Sequence, residues 1–361
     1  MLRISRGVNE KADSREDSMK FFTCEWCKDQ FGSERRVKYA LSFPMCSSAL
    51  DMKYLALLAA SALTASAVFV HPGMLHTAKD FDRVTTNVKA GNEPWLTGWY
   101  KLTNNSHAQS TYTASPVELL CRGVGGDCTE NYSLAFNDAA AAYQYVKAKV
   151  TGDEAYGTAA VDILNAWSGT LQIISGNEDK YLASGLYGYQ FANAAEILRD
   201  FDGFTDNDLV AITSMLVNIF YPMNHEFLVE HNGAAIDHYW ANWDLCNLAT
   251  MLSVGILSDN QTMFDEAINY FFTGAGNGNI DKLFWIVYDD GTAQVQESGR
   301  DQGHTMLSIA ISTAFAQMAY NQGVNLFAYD DYLMLKGAEY AAKYNLGYDV
   351  QYTTYSNTSG K

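Results

Sequence analysis

The chain has 361 residues, 48% of them hydrophobic and 18% charged, so it can bury a large core, which excludes disorder as its dominant state. A formal net charge of −17 argues against a nucleic-acid binder, which needs a basic face for phosphates. With 23 Tyr and 7 Trp against 5 Pro, the composition suits a helical extracellular protein that handles sugars.

Residues 1–51 are polar, mixed in charge and without apolar period, and read as an extension outside any domain. Met52-Lys53-Tyr54 then opens an apolar run that closes on small residues at Ala65-Ser66-Ala67. This is the pattern of a secretory signal peptide over residues 52–67. The run is too short and too rich in small residues for a comfortable span, so no stable membrane insertion is expected after cleavage. Because a signal peptide opens a chain, Met52 reads as the initiator and residues 1–51 as a misread gene start. Cys24 and Cys27 have knuckle spacing, but only Cys46 follows and no His lies nearby, so no metal site is expected there. Past residue 67 the chain holds 14 basic and 33 acidic residues, a net of −19. Four arginines remain in that part: Arg83, Arg122, Arg199 and Arg300.

From His71 onward, helices are expected over 77–90, 94–104, 136–151, 153–175, 181–200, 206–221, 239–258, 261–273, 304–323 and 329–344, separated by Gly, Asn and Asp. Thr77, Asp206 and Asp259-Asn260 are the expected caps. No convincing alternating strand is visible; residues 283–297 have the pattern of a short hairpin. Helix pairs without a strict repeat predict an all-α fold, an (α/α) toroid or incomplete barrel of helical hairpins or else a solenoid, over residues 68–361. Secretion permits a disulfide between Cys121 and Cys128, while Cys246 lies in an apolar helical pattern and reads as a buried thiol. Asn104, Asn131, Asn260 and Asn357 begin glycosylation sequons.

Several motifs are weak. His225 and His231 are six residues apart, about 240° around a helix, which is the wrong spacing for a zincin. His71-Pro-Gly-Met-Leu-His76 is read as a loop capping the first helix rather than as a metal site. Neither of the Gly-rich stretches Arg122–Gly126 and Gly274–Gly278 combines a preceding strand with a following helix, and both read as turns. Others are richer. Gln190 and Asn193, three apart, share a helical face, Tyr187 lies three before Gln190, and tyrosines with side-chain amides suit sugar hydroxyls. Asp237-His-Tyr-Trp-Ala-Asn-Trp-Asp244 brings His238, Tyr239 and Asn242 together with Trp243. Gln296-Glu-Ser-Gly-Arg-Asp-Gln-Gly-His304 is the densest polar segment; Arg300 and His304, with Gln302 between them, are four residues apart and meet on one face if the helix begins there.

Taken together, these segments resemble the alginate-lyase-type polysaccharide lyases over roughly residues 71–350. The specific parts are the His71-to-His76 motif and Glu297-Ser-Gly-Arg-Asp-Gln-Gly-His304. Asp80–Arg83, Glu130–Tyr132, Tyr189–Asn193, Asn242–Asp244, Gly276–Gly278 and Glu339–Gly347 support them. The resemblance implies the toroid and a secreted enzyme that cleaves a polyuronate such as alginate or glucuronan by β-elimination, with no cofactor or metal. It assigns Asn242 and Arg300 to the substrate carboxylate, His304 to base or neutraliser, and His238 and Tyr239 to base and acid, with Tyr288 a second tyrosine. Tyr187, Gln190, Asn193, Trp243 and Gln302 are the expected substrate contacts. Related chains have Asn-His before the Tyr-Trp pair, whereas this one has Asp237-His238. They also continue past the segment matching Tyr344–Gly347, so a truncated C-terminus is expected. Two other readings remain: a toroid glycoside hydrolase using Glu297, Asp301 or Asp244, and a non-catalytic carbohydrate-binding or cell-wall protein of the same fold.

Overall fold

The computed structural model describes residues 69–124 and 128–358. The expected extension over 1–51 and the signal peptide over 52–67 lie outside the described residues.

Helices dominate. In chain order they are α1 (Ala78–Lys89), α2 (Trp95–Thr103), α3 (Ser133–Ala142), α4 (Tyr145–Thr151), α5 (Ala155–Ser168), α6 (Lys180–Ile197), α7 (Asp206–Met215), α8 (Tyr221–Glu230), α9 (Ala241–Leu257), α10 (Gln261–Thr273), α11 (Ile280–Leu283), α12 (Gln302–Asn321) and α13 (Leu333–Asn345). Among them α3, α6, α9 and α12 pack side by side in succession, while α5, α7, α10 and α13 pair with them from the intervening positions. That alternation is the (α/α) toroid expected from the sequence. Helix α9 is the centre. All of its residues but Trp243 are buried, as befits a helix that is apolar nearly all round. Glycines let α6 come close to it. A Cβ on Gly185 would strike Cys246 Sγ and the Asn247 backbone, and one on Gly188 would strike Thr250.

Local chemistry sets the ends. Thr77 and Asp80 form a capping box on α1, and Asn260 Oδ1 accepts the Thr262 and Met263 N–H groups on α10. On α7 the cap is Thr205, boxed with Asp208, rather than the expected Asp206. Residues 223–230, expected in a loop, continue helically as α8. Pro222 lacks the N–H that would close the preceding turn, and a π turn at Leu216–Phe220 absorbs the mismatch. The helix expected over 153–175 stops at Ser168. Its end is instead strand β2 (Ile173–Gly176), paired in parallel with β1 (Leu119–Arg122). Four-residue strands show no usable alternation, which is why they escape sequence reading. The expected hairpin is present as β3 (Ile286–Val287) and β4 (Ala293–Gln294).

The His71-to-His76 segment is an anchor. His71 Nδ1 and the Gly73 N–H both meet the buried carboxylate of Glu196, at 2.7 and 3.0 Å, and His71 Nε2 meets Asp259 at 3.1 Å. Burial lowers the pKa of His71, but the Glu196 and Asp259 contacts outweigh it and leave the imidazole above its usual value. Among the described residues no helix is long and apolar enough to cross a membrane.

Candidate active site

The start of α9 is tied to the polar segment before α12 by one carboxylate. Glu297 is fully buried. Its Oε1 accepts the Asn242 side-chain amide at 2.6 Å, the Asn242 N–H at 3.3 Å and the Ser308 hydroxyl at 2.9 Å. Its Oε2 accepts Arg300 Nη1 at 2.9 Å. Beside it Gln296 Oε1 accepts the Ala241 N–H at 2.9 Å. Asn242 and Arg300 are thus brought together, but around an internal carboxylate. Asn242 is buried with its amide occupied. The Arg300 side chain is 31% exposed, and its guanidinium lies 5.4 Å from the Trp240 ring centre. It lines a cleft of about 850 Å³ with Ser298, Gln302, Met306, Tyr344 and Tyr352.

His304 is 38% exposed in the first turn of α12, which begins at Gln302, so the extended Asp301 separates it from Arg300 and the two do not share a helical turn. Asp301 caps α12, accepting the His304 N–H at 2.8 Å and facing its Nδ1 at 2.6 Å. The His304 backbone N–H, then its ring, hold the Asp301 carboxyl below the usual range. With Nδ1 committed to Asp301, Nε2 is the nitrogen left for proton transfer. Gln302 is exposed and donates to Asn345 at 2.7 Å.

His238 and Tyr239 lie in the loop before α9. The Tyr239 ring packs 4.7 Å from Trp243, His238 packs edge-on to it at 5.0 Å, and the Tyr239 hydroxyl accepts Asn232 Nδ2 at 3.1 Å. Asn277 clamps this loop through the Tyr239 and Asp237 carbonyls, at 2.6 and 3.0 Å. The segment after α13 returns across the same region. Gln294 pairs with both backbone groups of Thr353, Tyr355 packs between Trp240 and Trp285, and Thr358 bonds Asp237 at 2.8 Å. Tyr288 joins it, donating to Gln294 Oε1 at 2.6 Å. Beneath the loop Asp244 is buried among Tyr270 (3.2 Å), the Gly278 N–H (2.8 Å) and His231 (3.3 Å). Burial, reinforced by Asp244, pushes the Tyr270 hydroxyl well above its usual pKa. A Cβ on Gly276 would collide with all three side chains.

A second polar cluster was not assembled by the sequence motifs. Arg122, at the end of β1, donates Nη1 to the Tyr187 hydroxyl at 3.1 Å and lies 4.8 Å from the Tyr132 ring centre. Burial pushes Tyr187 up to about 12, opposed by the Arg122 charge. Burial likewise pushes Cys246 up to about 12, again opposed by the Arg122 charge. The disulfide between Cys121 and Cys128 is present, and Cys246 is a buried free thiol, both as expected. Asn131 turns inward, bridging the Cys121 N–H and the Leu119 carbonyl at 2.7 and 3.0 Å, so its amide serves the strand. Among the expected substrate contacts, Tyr187 belongs to this cluster and Gln190 is half-buried, donating to Leu186 at 2.6 Å. Asn193 is placed in the core instead, its amide bonded to Leu75, Tyr189 and Met318.

The sequence model of the alginate lyase family matches residues 126–349, more than half of the chain. The chain belongs to the alginate lyase family. It is therefore a polysaccharide lyase. The structure is similar to that of an alginate lyase from Bacteroides ovatus, with a TM-score of 0.52 and 14% identity over 76% of this chain and 84% of that one. It is also similar to a variant of alginate lyase A1-III complexed with a tetrasaccharide, with a TM-score of 0.52 and 13% identity over 74% and 76% of the two chains. At these identities the likeness concerns the fold. No curated protein matches the sequence. Family membership sets aside the hydrolase reading, and the geometry agrees. Glu297 and Asp244 are fully buried, and Asp301 is occupied as a helix cap.

Proposed function

We propose that this lyase is secreted and cleaves a β-1,4-linked polyuronate, alginate or glucuronan, by β-elimination. The observation that carries the reading is Arg300, a guanidinium fixed by Glu297 at the edge of a cleft large enough for sugar rings, with the half-exposed imidazole of His304 in the first turn of α12. The C5 proton of a uronate is poorly acidic because its carboxylate repels added negative charge. A guanidinium at that carboxylate stabilises the enolate-like transition state. His304 Nε2 then takes the C5 proton, the C–H electrons form the C4–C5 double bond, and the C4–O4 bond breaks. A tyrosine protonates the leaving O4, and Tyr239 is our assignment. Asn242 acts one step back, holding Glu297 and through it Arg300.

The test incubates the full chain, made in a secretory host, with alginate, glucuronan and pectate separately, and follows absorbance near 235 nm. A rise on one polymer that is unaffected by chelator and lost in Arg300→Ala and His304→Ala supports the reading and names the uronate. A flat trace on all three from folded protein overturns it.

A further inference from the structure

We propose that Arg122, framed by Tyr132, Tyr187 and Phe136, is a second carboxylate-binding subsite, which holds a uronate ring flanking the bond that is cleaved. The inference rests on the polyuronate reading above and adds to it a residue that lies before the matched stretch of the family.

The first argument is commitment. Of the four arginines past residue 67, Arg83 pairs with Asp80 at 2.6 Å, Arg199 with Glu196 at 2.8 Å and Arg300 with Glu297 at 2.9 Å. Arg122 alone among them forms no ion pair with a described residue. The carboxylates around it are engaged or set back. Glu130 accepts the Gly123 N–H at 2.8 Å, and Asp179, whose acidity is weakened mainly by burial, feels the Arg122 charge without closing an ion pair. A half-buried guanidinium with one N–H on a tyrosine keeps the remaining donors for a planar anion, and a carboxylate is the anion whose geometry matches that fork.

The second argument is preorganisation. The Arg122 backbone is paired with Gly176 in the β1–β2 ladder, and its neighbour Cys121 is held by the disulfide and by Asn131. Asn177 reaches across to the Val124 carbonyl at 3.2 Å. The side chain is held on the Tyr132 face, and Tyr132 stacks parallel to Tyr187 at 6.4 Å. Such a group loses little entropy on binding. The third argument is the company it keeps. Phe136 is half exposed and packs edge-on to Tyr187, which leaves an aromatic surface beside the charge. A sugar acid presents the same pair of features, an apolar ring face next to a carboxylate.

The experiment measures kcat and KM of the full chain and of its Arg122→Ala, Arg122→Lys and Lys89→Ala variants on oligouronates of increasing length, and on the same oligomers with their carboxyls esterified. Equilibrium binding of an oligouronate is measured alongside. A charge-assisted hydrogen bond made equally in ground and transition states predicts a KM rise of about 10-fold to 100-fold in Arg122→Ala with kcat little changed. Arg122→Lys should fall between, and Lys89→Ala should match the parent. The difference between parent and Arg122→Ala should vanish on the esterified oligomers. An unchanged KM and affinity in folded Arg122→Ala overturns the proposal, as does a difference that persists on the esters. If the parent cleaves no polyuronate, the lyase reading fails by itself. Binding then decides this one: affinity lost in Arg122→Ala supports it, and affinity retained overturns it.

Discussion

Arg300 and Arg122 are opposites in how they are held. Arg300 is clamped by an internal carboxylate that also fixes Asn242, so its direction is set by a buried network. Arg122 is positioned by backbone pairing, a disulfide and aromatic faces, and its charge is left unmatched by any carboxylate among the described residues. A buried ion pair orients a charge but weakens the field it shows to a ligand. An unpaired guanidinium keeps its field, and the scaffold must be stiff enough to hold it. The comparison teaches that a polyanion can be gripped by one site of each kind, the first giving direction and the second attraction.

The largest expected effect comes from cutting the first clamp. Glu297→Ala leaves Arg300 and Asn242 without their shared acceptor and should cost about 3 kcal/mol or more, read as a fall in Tm together with loss of product absorbance. If activity survives, Arg300 needs no orienting partner and the contrast collapses. Removing the Cys121–Cys128 bridge by Cys128→Ser frees a short loop and should cost about 2.5 kcal/mol by chain entropy. It should also raise KM without touching the Arg300 site, because it loosens only the Arg122 side. Gly185→Ala presses a methyl into Cys246 and the α9 backbone beside both sites, and should cost about 1–3 kcal/mol in a denaturant melt.

The smallest effect serves as a control on regions distant from either arginine. The folded pKa of His71 stands above its unfolded value, so its contacts with Glu196 and Asp259 contribute fully below the unfolded pKa and fade as pH rises through the folded one. His71→Gln should therefore lower Tm more at pH 5.5 than at pH 8.5, with the cleavage rate per folded molecule unchanged at either pH.

The sequence showed the helical toroid because long apolar-faced helices such as α9 and α12 carry their own period. It marked Asn242, Arg300 and His304 because they lie in dense polar segments. It did not show that Glu297 stands between the first two, since two segments more than fifty residues apart meet only when α9 packs against α12. Arg122 was hidden for a related reason. Its partners Tyr132 and Tyr187 come from separate helices, and the four-residue parallel ladder that aims it has no readable alternation. Asn193 shows the converse error. It stands six residues from Tyr187, about 240° around α6, so Tyr187 meets Arg122 while Asn193 turns into the core.

The returning segment over residues 349–358 carries a practical lesson. It has no helix of its own, yet it latches the loop bearing His238 and Tyr239 through Tyr355, Asn357 and Thr358. A protease that trims this stretch would leave every helix standing and unfasten the proposed proton donor. Circular dichroism would report an intact protein while turnover disappeared, so a preparation should be checked by intact mass before its activity is judged.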